Sequence, residues 1–263
     1  HDFVRRGGEL DGPQSRLLAG LGATVCRLWR EPDEGIWEKR SGRFHHTFSK
    51  VMCWVALDRL LRLAEAGKLR ARIPTERFQK ECAALRQAIE TAGWNERLGS
   101  YADVLCGDGA DASLLLLGVY GYLDPRSPRF QSTFAHLDRE LDGAGLFYRY
   151  PPGTDGIASG EAAFALCSFW AVEALARMGR TEEAARRFEQ ILAYRNDVGL
   201  YAEEIEPGTG AALGNFPQAF PHVGLINAAL LLAEAQGETA PATAAAGTSG
   251  GANRTSGKTG ARV

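Results

Sequence analysis

The 263-residue chain lacks most of the features that assign a sequence quickly. No apolar run approaches the roughly 20 residues that span a bilayer, so no membrane association is expected. Net charge is only −2, with 30 basic against 32 acidic residues, which leaves no electrostatic footprint for nucleic acid. The five cysteines are odd in number, spread out and without a C-x-x-C pair. Buried, reduced thiols are expected, not disulfides or zinc, and reduced thiols point to the cytoplasm. The chain has no G-x-G-x-x-G, no P-loop and no G-x-S-x-G elbow, the usual marks of nucleotide binding and serine hydrolysis. His45 and His46 are adjacent instead of spaced i, i+4, and no carboxylate or thiol stands at ligand spacing. Neither a metal nor a cofactor is therefore expected.

Hydrophobic residues make up 45% of the chain and charged residues 24%, enough apolar material for a sizeable core. That material stops near Gln236. Residues 237–263 hold one large aliphatic residue, Val263, and no aromatic, and cannot repay the entropy of ordering. One folded unit over 1–236 and a disordered low-complexity tail over 237–263 are expected.

Within that unit the periodicity predicts eight helices and no convincing strand. They lie near 14–30, 47–66, 75–92, 111–122, 129–142, 160–178, 181–195 and 219–236. In the first, Leu17, Leu18, Leu21, Val25 and Leu28 read as the core-facing stripe, with Pro13 suited to the first turn. Helices of odd rank are charged and striped. The later ones of even rank, such as 160–178 and 219–236, are apolar nearly all round. A striped helix faces water on one side, and a wholly apolar one expects burial on every side. The order is outer, inner, outer, inner. Loops entering the inner helices are long, about 31–46, 93–110, 143–159 and 196–217, while those leaving them are mostly short. A ring of helical hairpins would gather every long loop on one face, where function usually sits. An all-α toroid with inner and outer rings fits this best; a helical solenoid gives similar alternation but needs a recurring repeat that is absent.

The long loops carry the chemistry. In the first, Ile36 and Trp37 precede Glu38. A carboxyl shielded beside an indole keeps its proton to higher pH and can act as an acid, so shielding of Glu38 is the feature to look for. The plainer reading makes Trp37 a cap on the core and Glu38 a solvated residue. In the fourth, Glu203, Glu204 and Glu206 crowd between Tyr201 and Pro207, either as a functional cluster or as a solvated acidic turn. In the third, Arg149 stands between Tyr148 and Tyr150, a combination that can hydrogen-bond sugar hydroxyls and stack on sugar rings, or simply pack on the surface. In the second, Asp111 is placed to cap the helix that follows.

Six segments in order, PDEGIWE (32–38), SKVMCWVALDR (49–59), DASLLLL (111–117), CSFW (167–170), AEEIEP (202–207) and GNFPQAF (214–220), resemble glycoside hydrolase family 15 in its bacterial, glucoamylase-like branch. The resemblance spans about residues 14–236. It implies an (α/α)6 toroid, of which about eight of twelve helices are present, and inverting hydrolysis of α-glucosidic bonds in oligo- or polysaccharides with release of glucose. It makes Glu38 the general acid and Glu203 the general base, with Arg149 and Trp37 at the sugar. The two carboxyls of an inverting pair stand about 6.5–9.5 Å apart, leaving room for a water. Trehalose is the alternative substrate, since some bacterial members are trehalases. An inactive fragment, or a helical scaffold without catalysis, is the alternative of another class. Where fungal members carry a tryptophan, this chain reads Gly160-Glu161-Ala162-Ala163-Phe164. With four helices of the ring missing, apolar flanks of the inner helices are expected to be exposed.

Overall fold

The computed structural model describes residues 1–38, 42–154 and 162–237. The expected tail from 238 on, and Gly160 and Glu161, lie outside the described residues.

All eight expected helices are present. They are α2 (Gly12–Leu28), α3 (Thr47–Glu65), α4 (Thr75–Ala88), a helical segment over 112–119, α6 (Pro128–Leu141), α7 (Ala165–Arg177), α8 (Thr181–Leu192) and α9 (Ala219–Ala235). A four-residue helix, α1 (Asp2–Arg5), precedes them and was not expected. The local signals behave as the physical chemistry requires. Asp11 caps α2 in a reciprocal capping box with Gln14, with Pro13 in the first turn. Ser127 caps α6 ahead of Pro128.

Helix α7 is the centre of the molecule. Eleven of its thirteen residues are buried, and it packs against α8, α9 and the 112–119 segment. Phe169, wholly buried, meets Phe188 of α8 and Tyr201 of the fourth long loop edge-on. Helix α3 buries nine residues between α2 and α4. The outer helices α4 and α8 bury only two residues each. The outer α6 buries six of its fourteen residues, so the alternation is clear at α3–α4 and α7–α8 and weaker elsewhere; the mostly helical chain forms part of an α/α toroid.

Several expectations need correction. The fourth helix is shorter than expected: a 3-10 turn over Ala112–Leu115 followed by α5, Leu116–Val119. Gly118 passes so close to Phe130 that a Cβ there would lie 2.7 Å from the ring, and Gly121 turns the chain at φ +67°. The α2 stripe is also different. Leu17, Leu21 and Leu28 are more than half exposed, and the buried positions are Ser15, Gly22 and Cys26. Gly22 is what lets α2 approach the core, since a Cβ there would strike Leu60 and Phe78. Helix α9 is not buried on every side. Pro221, Gly224, Ala228 and Leu232 face inward, while Phe220, Val223, Ile226 and Leu230 are exposed. The exposed apolar row on α9 is a flank of the kind expected of an inner helix in an open ring; the row on α2, an outer helix by rank, was not expected. None of the five cysteines is in a disulfide, and only Cys26 and Cys167 are buried; Cys53 and Cys82 are half-buried and Cys106 is exposed.

Among the described residues, seven two-residue strands also form, where no convincing strand was expected: β1 (Trp94–Asn95), β2 (Ser100–Tyr101), β3 (Asp142–Gly143), β4 (Leu146–Phe147), β5 (Ala163–Phe164), β6 (Glu204–Ile205) and β7 (Ala212–Leu213). Two residues are too few for an alternation signal. The three-stranded sheet β5-β6-β7 pairs Phe164 with Glu204 and Glu204 with Leu213, tying the start of α7 to the fourth long loop. Helix α7 accordingly begins five residues later than expected, because Ala163 and Phe164 are extended. Among the described residues, no helix is long and apolar enough to cross a membrane.

One inward residue of α7 is charged in type. Glu173 is 4% exposed, and burial pushes its carboxyl up to about 7, against a smaller opposing pull from Arg177. The folded state holds the proton more tightly than the unfolded chain, so Glu173 favours folding below its ordinary range and loses that contribution as pH rises towards 7. Glu173→Gln should leave stability near pH 4 little changed and raise it at pH 8 by up to about 3 kcal/mol, at 1.36 kcal/mol per pH unit. Denaturant titration at the two pH values measures this. An equal effect at both would contradict it.

Candidate active site

The four long loops meet over the starts of the inner helices, and the side chains singled out from the sequence are assembled there by a chain of contacts. Trp37, half-buried, donates its indole N–H to both carboxylate oxygens of Asp111, at 2.9 and 3.0 Å. Its ring packs edge-on against Phe164, centroids 5.7 Å apart, and at a tilt of 37° against Trp170, centroids 5.9 Å apart. Asp111 caps the 112–115 turn as expected, accepting from the Ser113 amide at 2.9 Å and the Ser113 hydroxyl at 2.6 Å. The amide of Ala112 donates to the carbonyl of Arg149 at 2.8 Å. The guanidinium of Arg149 lies 5.1 Å from the Phe164 ring centroid, 5.5 Å from Tyr150 and 5.8 Å from Trp37, within cation–π range of each. Its Nη2 pairs with Glu204 at 3.1 Å, both side chains about one-fifth exposed. At that burial the pair is held by geometry and by its aromatic walls as well as by charge.

Glu203, next in the chain to Glu204, has a different environment. Its Oε2 accepts from the Asn215 amide at 3.0 Å and from the Asn215 side-chain Nδ2 at 2.8 Å. Its backbone is locked as well: its carbonyl accepts from Ala165, its amide donates to Asn215 O. The two glutamates thus divide the work. Glu204 faces Arg149, and Glu203 is aimed by the Gly214-Asn215 turn. Gly214 sits at φ +72°, and a Cβ on it would come within 2.8 Å of Glu203 Oε2.

Glu38 is placed differently from the expectation of shelter. It adjoins Trp37, but its side chain is exposed, and among the described residues it makes no hydrogen bond or ion pair. The indole beside it turns inward to Asp111 and the carboxylate turns outward. Its backbone is left-handed, φ +50°, an unusual state for a glutamate. The structure therefore brings Trp37, Arg149 and the Glu203–Glu204 pair into one connected cluster, with Glu38 at its edge. Sequence reading missed two members. Phe164 carried no signal beyond its apolar character. Asp111 was legible as a helix cap but not as the partner of an indole 74 residues away.

An incomplete α/α toroid whose loop face gathers acidic residues and aromatic rings around an arginine defines the class. Comparison with known proteins agrees. The model described as "Glycosyl hydrolases family 15" matches residues 16–230. The chain belongs to glycoside hydrolase family 15. It is 42% identical over 216 residues to the trehalase of Mycobacterium tuberculosis, covering 81% of this chain and 31% of that protein. It is 32% identical over 235 residues to the trehalase of Thermoplasma acidophilum, covering 89% of this chain and 40% of that protein. The chain thus spans about a third of the length of the curated relatives it matches. Among solved structures, the family 15 glucoamylase of Hypocrea jecorina superposes with a TM-score of 0.60 at 14% identity, covering 84% of this chain and 48% of that one, a likeness of fold.

The Gly214 turn yields a direct prediction. Gly214→Ala forces a side chain into a left-handed position and against Glu203, and should lower stability by about 1–2 kcal/mol from the backbone term alone. An unchanged midpoint in denaturant titration would contradict the close approach of Gly214 to Glu203.

Proposed function

We propose that the protein carrying this chain is an inverting hydrolase of α-glucosidic bonds, with Glu38 as general acid and Glu203 as general base. The observation that carries the reading is an aromatic-walled Arg149 paired with Glu204, next in the chain to a Glu203 whose carboxylate is doubly hydrogen-bonded by Asn215. Aromatic rings offer stacking area to a sugar, and the guanidinium offers donors to its hydroxyls. The two carboxyls have separate tasks. Glu38, at the open edge, gives a proton to the glycosidic oxygen as the bond from C1 to that oxygen breaks. Glu203 takes a proton from a water whose oxygen bonds to C1 from the opposite face. The asparagine bonds leave Glu203 little freedom to swing, which suits a base that must hold a water in line.

Trehalose is the substrate favoured by the curated relatives, among them the trehalases at 42% and 32% identity. Maltooligosaccharides are the second reading, favoured by the likeness of fold to a glucoamylase. The exposure of Glu38 in this chain fits either, since the sugar that binds would supply the missing cover. The reading needs no cofactor. Its partner is a disaccharide or oligosaccharide.

The test is release of glucose from trehalose and from maltotriose by the full-length protein. Glucose from trehalose alone supports a trehalase, and glucose from maltotriose supports the second reading. In either case Glu38→Gln and Glu203→Gln should each lower turnover by at least about 10²-fold, the scale of acid–base catalysis. Near wild-type turnover in one variant removes that residue from its role. Release from neither sugar removes the reading.

A further inference from the structure

We propose that Asp111 is a positioning residue of this site: by holding the indole of Trp37 it fixes the first long loop and the turn that carries Glu38. The proposal rests on the functional reading above and adds a residue to it. Four observations support it.

The first is stoichiometry. Capping the 112–115 turn needs a single acceptor, which serine, threonine or asparagine supplies equally well. Asp111 does more. Both of its oxygens lie within 3.0 Å of Trp37 Nε1, and Oδ1 also serves the Ser113 amide and hydroxyl. The second is burial. Asp111 is 4% exposed, so its oxygens exchange water for these donors, and bonds to a charged acceptor are the stronger kind. An indole N–H only donates, so Trp37 is held in one orientation. The third is position. The residue after Asp111 binds the Arg149 carbonyl, and the Arg149 side chain binds Glu204. One line of hydrogen bonds therefore joins all four long loops, and Asp111 is where the first loop joins it. The fourth is strain. Glu38 is left-handed, a conformation costing a non-glycine residue about 1–2 kcal/mol and held only where neighbours hold it. The residue immediately before it is the anchored Trp37.

The experiment uses Asp111→Ser, which keeps a capping oxygen but is too short to reach the indole, beside Asp111→Asn, which keeps the cap and one acceptor at full reach. In the 15N-tryptophan-labelled chain, the Trp37 indole resonance is identified by its loss in Trp37→Phe. Asp111→Ser should speed hydrogen exchange at that indole by about 10- to 100-fold, as expected for loss of a bond to a charged group. In the full-length enzyme the same variant should lower kcat by about 10- to 100-fold with KM changed far less, as displacement of a catalytic group does. The acid limb of its pH profile should shift, and Asp111→Asn should recover most of the loss. Trp37→Phe should add little to Asp111→Ser, since both remove one bond. Unchanged indole exchange in Asp111→Ser overturns the anchor. Altered exchange with unchanged kcat and pH profile overturns the positioning role. Should Asp111→Ser not fold, Trp37→Phe removes the same bond from its other end, and unchanged kcat there overturns the proposal equally. Absence of hydrolysis in the wild-type enzyme defeats the functional reading alone, because the indole measurement does not depend on activity.

Discussion

The burial of α7 is the constraint on which the rest of the structure depends. A helix that hides eleven of thirteen residues leaves no face for water, so other elements must surround it. Helices α8 and α9 pack along it, and the 112–119 segment closes another side. Its N-terminal end is covered by the β5-β6-β7 ladder, which draws the fourth long loop onto Phe164. The aromatic residues at that end, Phe164 and Trp170, become the wall against which Trp37 packs. Hydrophobic burial thus places the site, while hydrogen bonds orient its members.

That division of labour explains why the polar groups are arranged as they are. Arg149 is enclosed by three rings and paired with Glu204, so its head group keeps a fixed direction in a half-dry setting. Glu203 is pinned by Asn215 through a turn that only glycine fits at position 214. Glu38 has neither kind of support. Its placement is inherited from the backbone of a loop that Trp37 ties to Asp111. Precision at one carboxylate is local and at the other is borrowed from 74 residues away.

Much of the fold was legible because long helices repeat their signal over many turns. All eight expected helices formed, and apolar content distinguished the buried α7 from the water-facing α8, but not the part-exposed α9. The misses share a physical cause, which is that pattern reports apolar character and not what covers it. Leu17, Leu21 and Leu28 form a stripe in sequence yet face outward, because Gly22 and Cys26 make the closer approach to α3 and α4. The row on α9 from Phe220 to Leu230 is apolar for the same reason and equally uncovered in this chain. The two-residue strands fell below the length at which alternation exists. At the site, Trp37, Arg149 and the glutamate pair were legible as residue types in long loops, but their partners were not. Tertiary proximity alone reveals that Asp111 serves an indole as well as a helix end, or that Arg149 selects Glu204 and leaves Glu203 to Asn215.

The central claim is that two carboxylates with separate tasks deliver water to the face of C1 opposite the departing oxygen. The most direct test is the anomeric form of the first glucose released, followed by proton NMR before mutarotation. Attack with inversion on trehalose gives α- and β-glucose in equal initial amounts, one from each half of the molecule, and on maltotriose it gives β-glucose from the attacked end. Initial α-glucose alone from trehalose, or from the attacked end of maltotriose, would mean retention, and would contradict the roles assigned to Glu38 and Glu203.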